Sequence, residues 1–311
     1  MIVAWIAALA CGLVVAAAAS RRAVIHAIRA SETAGVSAGL VGVTVVAIGT
    51  DLPEIANSIV SALSGNGDVA VGDSAGSAFT QVTLVLGILC VASVVTADRP
   101  SLATLGLLTV GALMIVAVMV QDGVFSRTEG LLLIAAWVGS LVVTFLVAPP
   151  GDGDGSENQG ARRAAPHAFR SLGWLAVVAV ASTVVVESFV RITDDIGVPQ
   201  LVASAVILSL GTSLPELVVD LTALRRGAAA LALGDLFGSS LLDSTLAIGS
   251  GPALRATEVS PDASTVCLIA AVGVAGATLI VMRHRSHHYA SAALLFVLYG
   301  AVTTWLILAT T

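Results

Sequence analysis

The sequence of 311 residues contains no lysine, and charged residues of all kinds make up only 11% of it. Hydrophobic residues account for 57%, and the mean hydropathy is +1.00. A soluble domain of this length could not bury so much apolar surface. Apolar runs of roughly 17 to 25 residues, long enough to cross a bilayer as helices, recur along the whole chain. The composition therefore predicts an all-α, polytopic membrane protein whose main partner is the lipid bilayer.

Cysteines and basic runs are also scarce, and each scarcity excludes a class of site. The three cysteines, Cys11, Cys90 and Cys267, lie in apolar stretches at spacings that fit neither a disulfide framework nor a zinc site. The formal net charge is -6, and without a long basic run nucleic-acid binding has no support. We predict neither a bound cofactor nor a nucleic-acid partner.

Breaks between the apolar runs predict about ten transmembrane helices, five in residues 1–148 and five in residues 172–311. Residues 149–171 between the two sets are rich in proline, glycine and polar side chains, which predicts a hydrophilic linker. The first segment lacks a basic start and is followed by Arg21 and Arg22. We therefore expect a retained helix there rather than a cleaved signal.

The positions of the 14 arginines predict the orientation in the membrane. Loops after even-numbered spans hold only Arg127, Arg191 and Arg255, and the other eleven arginines fall in loops after odd-numbered spans. Loops rich in arginine stay in the cytoplasm. We therefore predict a cell-membrane protein with the central linker in the cytoplasm and both termini outside.

The two halves are related in sequence at a constant offset of 162 residues. GTDLPE at Gly49 matches GTSLPE at Gly211, and VGDSAGSAFTQ at Val71 matches LGDLFGSSLLD at Leu233. Between Gly49 and Gly87 the register gives 14 identities in 39 positions. With five spans in each half, the second copy would enter the membrane upside down. Such inverted repeats are typical of secondary transporters, whose sites lie near the midplane.

Proline and glycine punctuate both copies. Pro53 and Pro215 fall inside apolar runs, where each lacks a donor and crowds the carbonyl four residues earlier. Both helices are predicted to break there and to turn backbone oxygens toward a cavity at the centre of the membrane. Four further glycines are spaced four apart and predict close helix packing: Gly72, Gly76, Gly234 and Gly238.

Glu54 and Glu216 recur at matching positions within these apolar runs. Asp51-x-x-Glu54 and Ser213-x-x-Glu216 also fit a capping box, which would merely restart a helix. Glutamine could serve equally well in a cap, whereas intramembrane acids are functional by default. A buried unpaired carboxylate must be protonated or hold a cation. We therefore expect both glutamates to bind a cation or a proton.

Calcium fits the available oxygen atoms best. Two bidentate glutamates supply four oxygens, and the backbone of Thr50 and Thr212 would raise the total to six, within the roughly six to eight that calcium takes. Magnesium demands a tighter octahedron and keeps its water, so it is less favoured. Two pairs spaced four apart lie on single helix faces and could complete the site: Ser77 with Gln81, and Ser239 with Asp243.

Four further acids have no clear ligand role in the sequence. For Asp73 and Asp235, a structural hydrogen bond and direct ligation are equally good explanations. Asp220 lies one turn beyond Glu216, and Glu187 lies near the end of the sixth span. We expect these last two to face water at the pore mouth.

The duplicated pattern G-[TS]-[SD]-x-P-E followed by G-[ND]-x-x-G-S resembles that of the calcium/cation antiporter superfamily, and especially its prokaryotic sodium/calcium exchangers. The resemblance implies ten helices, a central diamond of four acidic or amide residues, and alternating access by sliding of the first and sixth helices. It implies calcium binding by Glu54 and Glu216 with backbone oxygens of Thr50 and Thr212. Gln81 and Asp243 would complete the diamond. The flanking sodium sites would take contributions from Ala47, Ser77, Ser209, Ser213 and Ser239.

The chain departs from that pattern most consequentially at Asp51, which stands where serine is usual, while Gln81 replaces the usual Asn or Asp. Asp51 adds a carboxylate three residues from Glu54, so an extra cation or a proton is needed there. Sodium-driven calcium antiport is the predicted function, with a divalent cation/proton antiporter and a cation channel as alternatives. A single chain should suffice for transport.

An enzyme is the remaining alternative, because GNGD at Gly65 fits the GxGD pattern of intramembrane aspartyl proteases. The motif is short, and its Asp68 falls between two predicted spans. No span contains the YD dipeptide that would supply the partner acid. We therefore predict that the protein is not an enzyme.

Overall fold

The computed structural model describes residues 2–34, 41–96, 98–147, 157–196, 200–284 and 286–310. In these residues the chain is almost entirely helical, as its composition predicts. The helices are α1 (Ile2–Ala34), α2 (Gly42–Thr50), α3 (Leu52–Ser64), α4 (Gly67–Ala92), α5 (Arg99–Met119), α6 (Arg127–Val147), α7 (Glu157–Ile196), α8 (Gln200–Arg225), α9 (Ala229–Leu254), α10 (Asp262–Arg283) and α11 (Tyr289–Thr310).

Seven of these helices, α4 to α6 and α8 to α11, are long and apolar enough to cross a membrane. The bent pair formed by α2 and α3 would make an eighth span. Within the described ranges, neither α1 nor α7 alone contains a stretch that is long and apolar enough to count as a span. The multi-pass helical architecture is confirmed, and the count of ten spans stays a prediction.

The first predicted break is present, and the second is not. α2 and α3 meet at 49°, with Asp51 outside helical geometry at φ -85° and ψ 7° and Pro53 in the first turn of α3, where proline is well tolerated. The prediction of a break at Pro215 is wrong, because the helical segment Ser209–Arg225 runs through that residue. A single proline removes one donor, and a helix can absorb this loss as a kink without breaking.

α4 and α9 form the centre of the molecule. The most apolar stretch of α4 is 78% buried, and that of α9 is 94% buried. Close packing at glycine accounts for this burial. A Cβ at Gly238 of α9 would lie 2.7 Å from the Cα of Val43 in α2, and one at Gly76 of α4 would lie 2.8 Å from the Cβ of Ser209 in α8. Gly72 likewise abuts the backbone of Leu201. The predicted glycine packing is confirmed at these three positions.

Four helices contain a widened π-helical turn, a feature often found at functional sites. The turns are Gly42–Val46 in α2, Gln81–Val85 in α4, Ala203–Leu208 in α8 and Asp243–Ala247 in α9. Two of them begin at the predicted ligands Gln81 and Asp243. The turns in α4 and α9 are also separated by the sequence offset of 162.

The offset of 162 residues also relates short strands at the helix ends, outside the repeated motifs. β1 (Val95–Thr96) pairs with β4 (Ser286–His287), and β2 (Val124–Phe125) pairs with β3 (Thr257–Glu258), both antiparallel. The pair Val95 and His287 corresponds to the pair Thr257 and Phe125, since 257 minus 95 and 287 minus 125 both equal 162. Each strand therefore pairs with a strand from the other half of the chain.

α1 and α7 pack antiparallel along much of their length. The guanidinium carbon of Arg22 lies 4.4 Å from the centre of the Trp174 ring, and that of Arg191 lies 5.3 Å from the Trp5 ring. Such cation–π contacts stabilise by about 0.5–1 kcal/mol where they are exposed. They link the two helices near both ends of their contact.

The start of α7 overlaps the predicted linker. Residues 157–171 already belong to this helix, whereas residues 149–156 lie outside the described ranges. On this helical stretch, His167 Nδ1 lies 3.3 Å from His26 Nδ1 of α1. Burial lowers the pKa of His26, and the neighbouring His167, Arg170 and Arg29 lower it further. The division of the chain at 149–171 remains a prediction.

Candidate cation-binding site

The residues predicted as ligands lie in the interior of the helix bundle. All twelve of them are at most 2% exposed. They are Ala47, Thr50, Asp51, Glu54, Ser77, Gln81, Ser209, Thr212, Ser213, Glu216, Ser239 and Asp243.

Three carboxylates converge where the broken helix meets α8. Asp51 occupies the break, Glu54 lies in the first turn of α3, and Glu216 follows Pro215 in α8. One carboxylate oxygen from each of the three lies within 4.8 Å of the other two. Residues from distant parts of the sequence thus form one cluster of acidic oxygens, of the kind that hard cations require.

The capping-box alternative for these acids does not hold. The side chain of Asp51 makes no cap hydrogen bond to α3. Both carboxylate oxygens of Glu54 and of Glu216 lack a hydrogen-bond partner among the described residues, and so does the Ser213 hydroxyl. Neither glutamate therefore reaches back to a helix terminus, and both leave their oxygens free for another ligand.

Gln81 and Asp243 meet beside this cluster. The Gln81 amide Nε2 donates to Asp243 Oδ2 over 3.1 Å, and Gln81 Oε1 accepts a hydrogen bond of 2.9 Å from the Ser240 hydroxyl. The second oxygen of Asp243 has no partner in the described residues. Ser240 was not among the predicted ligands. Its hydroxyl lies 2.9 Å from the carbonyl of Leu236, one turn earlier in α9, and it orients the amide of Gln81.

Two hydroxyl pairs flank the acids. Thr50 Oγ1 lies 3.5 Å from Ser239 Oγ, and Thr212 Oγ1 lies 3.1 Å from Ser77 Oγ. Each pair joins one residue from each half of the chain, and the two pairs are related by the offset of 162. The structure thus brings four of the predicted ligands together in two matched pairs.

Ala47 and Ser209 are buried next to these pairs, but their carbonyl oxygens are already engaged. The Ala47 carbonyl accepts the Asp51 amide at 3.0 Å and the Thr50 hydroxyl at 3.2 Å. The Ser209 carbonyl accepts the Thr212 hydroxyl at 3.2 Å. The Ala47 carbonyl already uses both of its lone pairs, so it could bind an ion only by sharing or giving up one of these hydrogen bonds.

Asp73 forms structural hydrogen bonds, which is one of the two roles that the sequence left open for it. Its Oδ2 accepts a 2.7 Å hydrogen bond from Asn57 Nδ2, and its Oδ1 accepts a 3.3 Å bond from the Thr212 hydroxyl. Asn57 was missed, although its spacing of three residues from Glu54 places both on one face of α3. Asp73 therefore orients the Thr212 hydroxyl of one flanking pair.

Asp220 differs from the expectation of a water-facing acid. It is fully buried, because it follows Glu216 by one turn on the inner face of α8. Glu187, the other acid assigned to the pore mouth, is exposed and forms an ion pair of 3.5 Å with Arg191. Asp68 has a structural contact instead: its Oδ1 accepts a hydrogen bond of 2.7 Å from the backbone amide of Ser260.

The buried acids have no basic partner among the described residues, in which the one ion pair is that of Glu187 and Arg191. Taking a carboxylate out of water without compensation costs several kcal/mol. The cluster therefore requires protons or cations, which is the electrostatic signature of an intramembrane ion pathway.

Comparison with known proteins agrees with this chemistry. The family model described as sodium/calcium exchanger protein matches residues 4–146 and 168–308. The inner membrane protein YrbG of Escherichia coli is 26% identical over 259 residues, covering 80% of each chain. The sodium/calcium exchanger MaX1 of Methanosarcina acetivorans is 25% identical over 255 residues, covering 69% of this chain and 73% of the relative.

A solved structure shows the same fold. The sodium-calcium exchanger NCX_Mj superposes with a TM-score of 0.76 at 23% identity, over 98% of this chain and 99% of that one. The family match, together with the relatives, makes the protein a multi-pass transporter of inorganic cations rather than a protease or another enzyme. The family match supports cation antiport as the activity of this chain. The chain belongs to the sodium/calcium exchanger protein family.

Proposed function

We propose that the protein exchanges calcium for sodium across the cell membrane, with Glu54 and Glu216 as the central calcium ligands. The observation that carries this proposal is the convergence of Asp51, Glu54 and Glu216 within 4.8 Å, buried and without a basic partner among the described residues. Both oxygens of each glutamate are free to coordinate an ion. A dehydrated divalent cation would balance the charge that the protein leaves uncompensated.

Calcium suits the site better than magnesium because the ligands are almost all protein oxygens. Glu54 and Glu216 can supply four, Asp51 one or two, and Asp243 one that lacks a partner. Calcium accepts six to eight such ligands in flexible geometry, whereas magnesium keeps several waters. The hydroxyl pairs Thr50–Ser239 and Ser77–Thr212 would form the flanking sodium sites.

We further propose that ten spans form two inverted repeats. Gln81 and Asp243, which are 162 residues apart, contact each other, and equivalent residues can do so only near a two-fold axis. The reciprocal strand pairs and hydroxyl pairs support the same relation. Alternating access would then expose the site to each side in turn, with both termini outside and residues 149–171 in the cytoplasm. Because one chain supplies every proposed ligand, a monomer would suffice.

Proton-driven exchange is the second candidate, and one residue favours it. Asp51 adds a third carboxylate to the cluster where the matching position of the second half carries Ser213. Three carboxylates exceed the charge of one calcium ion, so a proton or a further cation must accompany it.

A flux assay separates these candidates. Purified protein in proteoliposomes should accumulate radiolabelled calcium when sodium is loaded inside, and collapsing the sodium gradient should stop uptake. Uptake driven by a pH gradient without sodium would support proton coupling. Calcium entry without any counter-gradient would show a channel and overturn the proposed antiport. Parallel assays with magnesium and manganese define the substrate.

A further inference from the structure

Two neighbouring side chains hold α3 against the helices on either side of it. Asn57 Nδ2 donates to Asp73 Oδ2 of α4 over 2.7 Å. The Ser58 hydroxyl oxygen accepts a hydrogen bond of 3.1 Å from the backbone N–H of Gly251 in α9. Asn57 and Ser58 follow Glu54 by three and four residues, so they lie directly beside it along the helix. A shift at either contact would therefore move the Glu54 carboxylate as well.

The contact at Ser58 involves a proline in α9. Pro252 has no N–H to donate to the carbonyl of Ile248, one turn earlier, and the Ser58 hydroxyl donates to that carbonyl over 3.4 Å. A Cβ on Gly251 would collide with the backbone of Ser58 and would lie 2.9 Å from the Cβ of Ala62. The two helices therefore meet backbone to backbone, and Ser58 is fully buried at their junction.

α3 needs such anchors because the break at Asp51 separates it from α2. The two helices meet at 49°, and the Asp51 side chain makes no cap hydrogen bond to α3. Residues at the end of a helix that leave helical geometry act as hinges, about which the following segment can pivot. The hydrogen bonds of Asn57 and Ser58 to α4 and α9 restrict that pivoting.

The second half of the chain is built differently. α8 continues through its proline, so an unbroken helix carries Glu216. The residues that correspond to Asn57 and Ser58 are Val219 and Asp220. Val219 has no side-chain donor, and the carboxylate oxygens of Asp220 have no hydrogen-bond partner among the described residues. In the described part of the chain, these anchors therefore accompany the glutamate whose helix is broken, and not the other one.

We infer that Asn57 and Ser58 are positioning residues, which fix the Glu54 carboxylate in the central site and thereby set the affinity for calcium. This inference rests on the proposed role of Glu54 as a calcium ligand. Neither residue belongs to the ligand set that the family resemblance implies. They act by joining the segment that carries Glu54 to α4 and to α9, the helix that carries Asp243. Partners that orient a metal ligand typically change metal affinity by about 10–100-fold when they are removed.

A double-mutant cycle on calcium affinity separates positioning from a general loss of stability. Ser58→Ala, in the detergent-purified full chain titrated with calcium, should bind about tenfold more weakly than the wild type. The same substitution should again cost about tenfold in the Glu216→Gln background. In the Glu54→Gln background it should cost less than about twofold, because the ligand that Ser58 positions is already impaired there. Ser58→Thr keeps the hydroxyl and should restore most of the affinity.

Two further variants complete the experiment. Ser250→Ala removes a buried hydroxyl that bonds to a carbonyl of its own helix, α9, and it should bind calcium like the wild type. Asn57→Val copies Val219 of the second half and removes the other anchor. It should show the same dependence on the two backgrounds, and it carries the test if Ser58→Ala does not fold.

The possible results also distinguish this inference from the proposed function. Equal losses from Ser58→Ala in the Glu54→Gln and Glu216→Gln backgrounds would overturn the inference, because the substitution would then not act through Glu54. Wild-type calcium affinity in both Ser58→Ala and Asn57→Val, beside a clear loss in Glu54→Gln, would overturn the inference alone. If Glu54→Gln itself binds calcium like the wild type, the proposed function fails and the inference fails with it.

Discussion

The Gln81 amide donates to Asp243 across 3.1 Å, and the two residues occupy the same position in the two halves of the sequence, 162 residues apart. Their contact joins α4 to α9 at the π-helical turns that begin with these residues. A neutral amide facing a buried carboxylate satisfies one of its oxygens without adding charge. The bond therefore stabilises the centre of the bundle and leaves Asp243 Oδ1 available to an ion.

Replacing Gln81 by glutamate should make folding dependent on cations. Gln81→Glu removes the amide donor and places a second carboxylate against Asp243, and an uncompensated buried charge costs several kcal/mol. We expect a clear fall in thermal stability without calcium and a larger gain on calcium addition than in the wild type. Gln81→Asn, which keeps a neutral amide, is the control. Identical calcium dependence of unfolding in Gln81→Glu and the wild type would contradict the assignment.

Asp51→Ser should change the ion coupling. The substitution gives the first half the serine of the second half at Ser213 and removes one of three clustered carboxylates. With less charge to balance, the protein should bind one fewer proton or monovalent cation per calcium. Calcium flux measured across sodium and pH gradients checks this, with Glu187→Gln on the exposed surface as the control. Unchanged dependence on both gradients would refute a coupling role for Asp51.

Gly76→Ala should destabilise the fold. The added methyl group would press on the backbone of Ala205 and lie 2.8 Å from the Cβ of Ser209. Overpacking of this kind costs about 1–3 kcal/mol, more than the gain of up to about 1 kcal/mol from replacing a helical glycine. Gly139→Ala is the matched control, since nothing lies within 4 Å of its added Cβ. Thermal unfolding in detergent should separate the two variants, and equal stability would refute the packing argument.

The contact between α1 and α7 should weaken in mild acid. Burial and the facing groups His167 and Arg170 of α7, together with Arg29 of α1, lower the pKa of His26 below its ordinary value of 6.5. The separated state therefore binds more protons, so the stabilisation is present above about pH 6.5 and is lost as the pH falls below it. Thermal unfolding between about pH 7.5 and 5.5 should show this loss.

Variants at His26 and at an exposed histidine, His284, identify the source of this pH dependence. His26→Gln should flatten the pH dependence of stability, whereas His284→Gln, at an exposed position, should leave it intact. If both variants keep the slope of the wild type, His26 is not responsible for it.

The sequence could predict those features that depend on local composition. Apolar runs predicted the helices, and small residues spaced four apart predicted the contacts of Gly72, Gly76 and Gly238. The repeated P-E motifs predicted that Glu54 and Glu216 are buried. These inferences succeed because burial and helix packing depend on which residues recur on one face.

Other features depend on tertiary contacts and could not be predicted. Pro215 leaves its helix continuous while Pro53 begins a new one, although the residues around them are nearly the same. Asp220 was expected to face water because nothing in its own helix shows that α9 covers it. The amide of Asn57 is explained only by Asp73, sixteen residues away. Such pairings depend on the angle between helices, which local sequence does not determine.

Calcium binding by Glu54→Gln and Glu216→Gln tests the central claim most directly. Each substitution keeps the shape of the side chain and removes one charged ligand, a loss of about 3 kcal/mol that corresponds to about a 100-fold weaker affinity. Titration of purified protein with calcium should give this loss in both variants, along with loss of sodium-driven flux, and should leave the Asp122→Asn control unchanged. Calcium affinity and flux equal to those of the wild type in both variants would contradict the account.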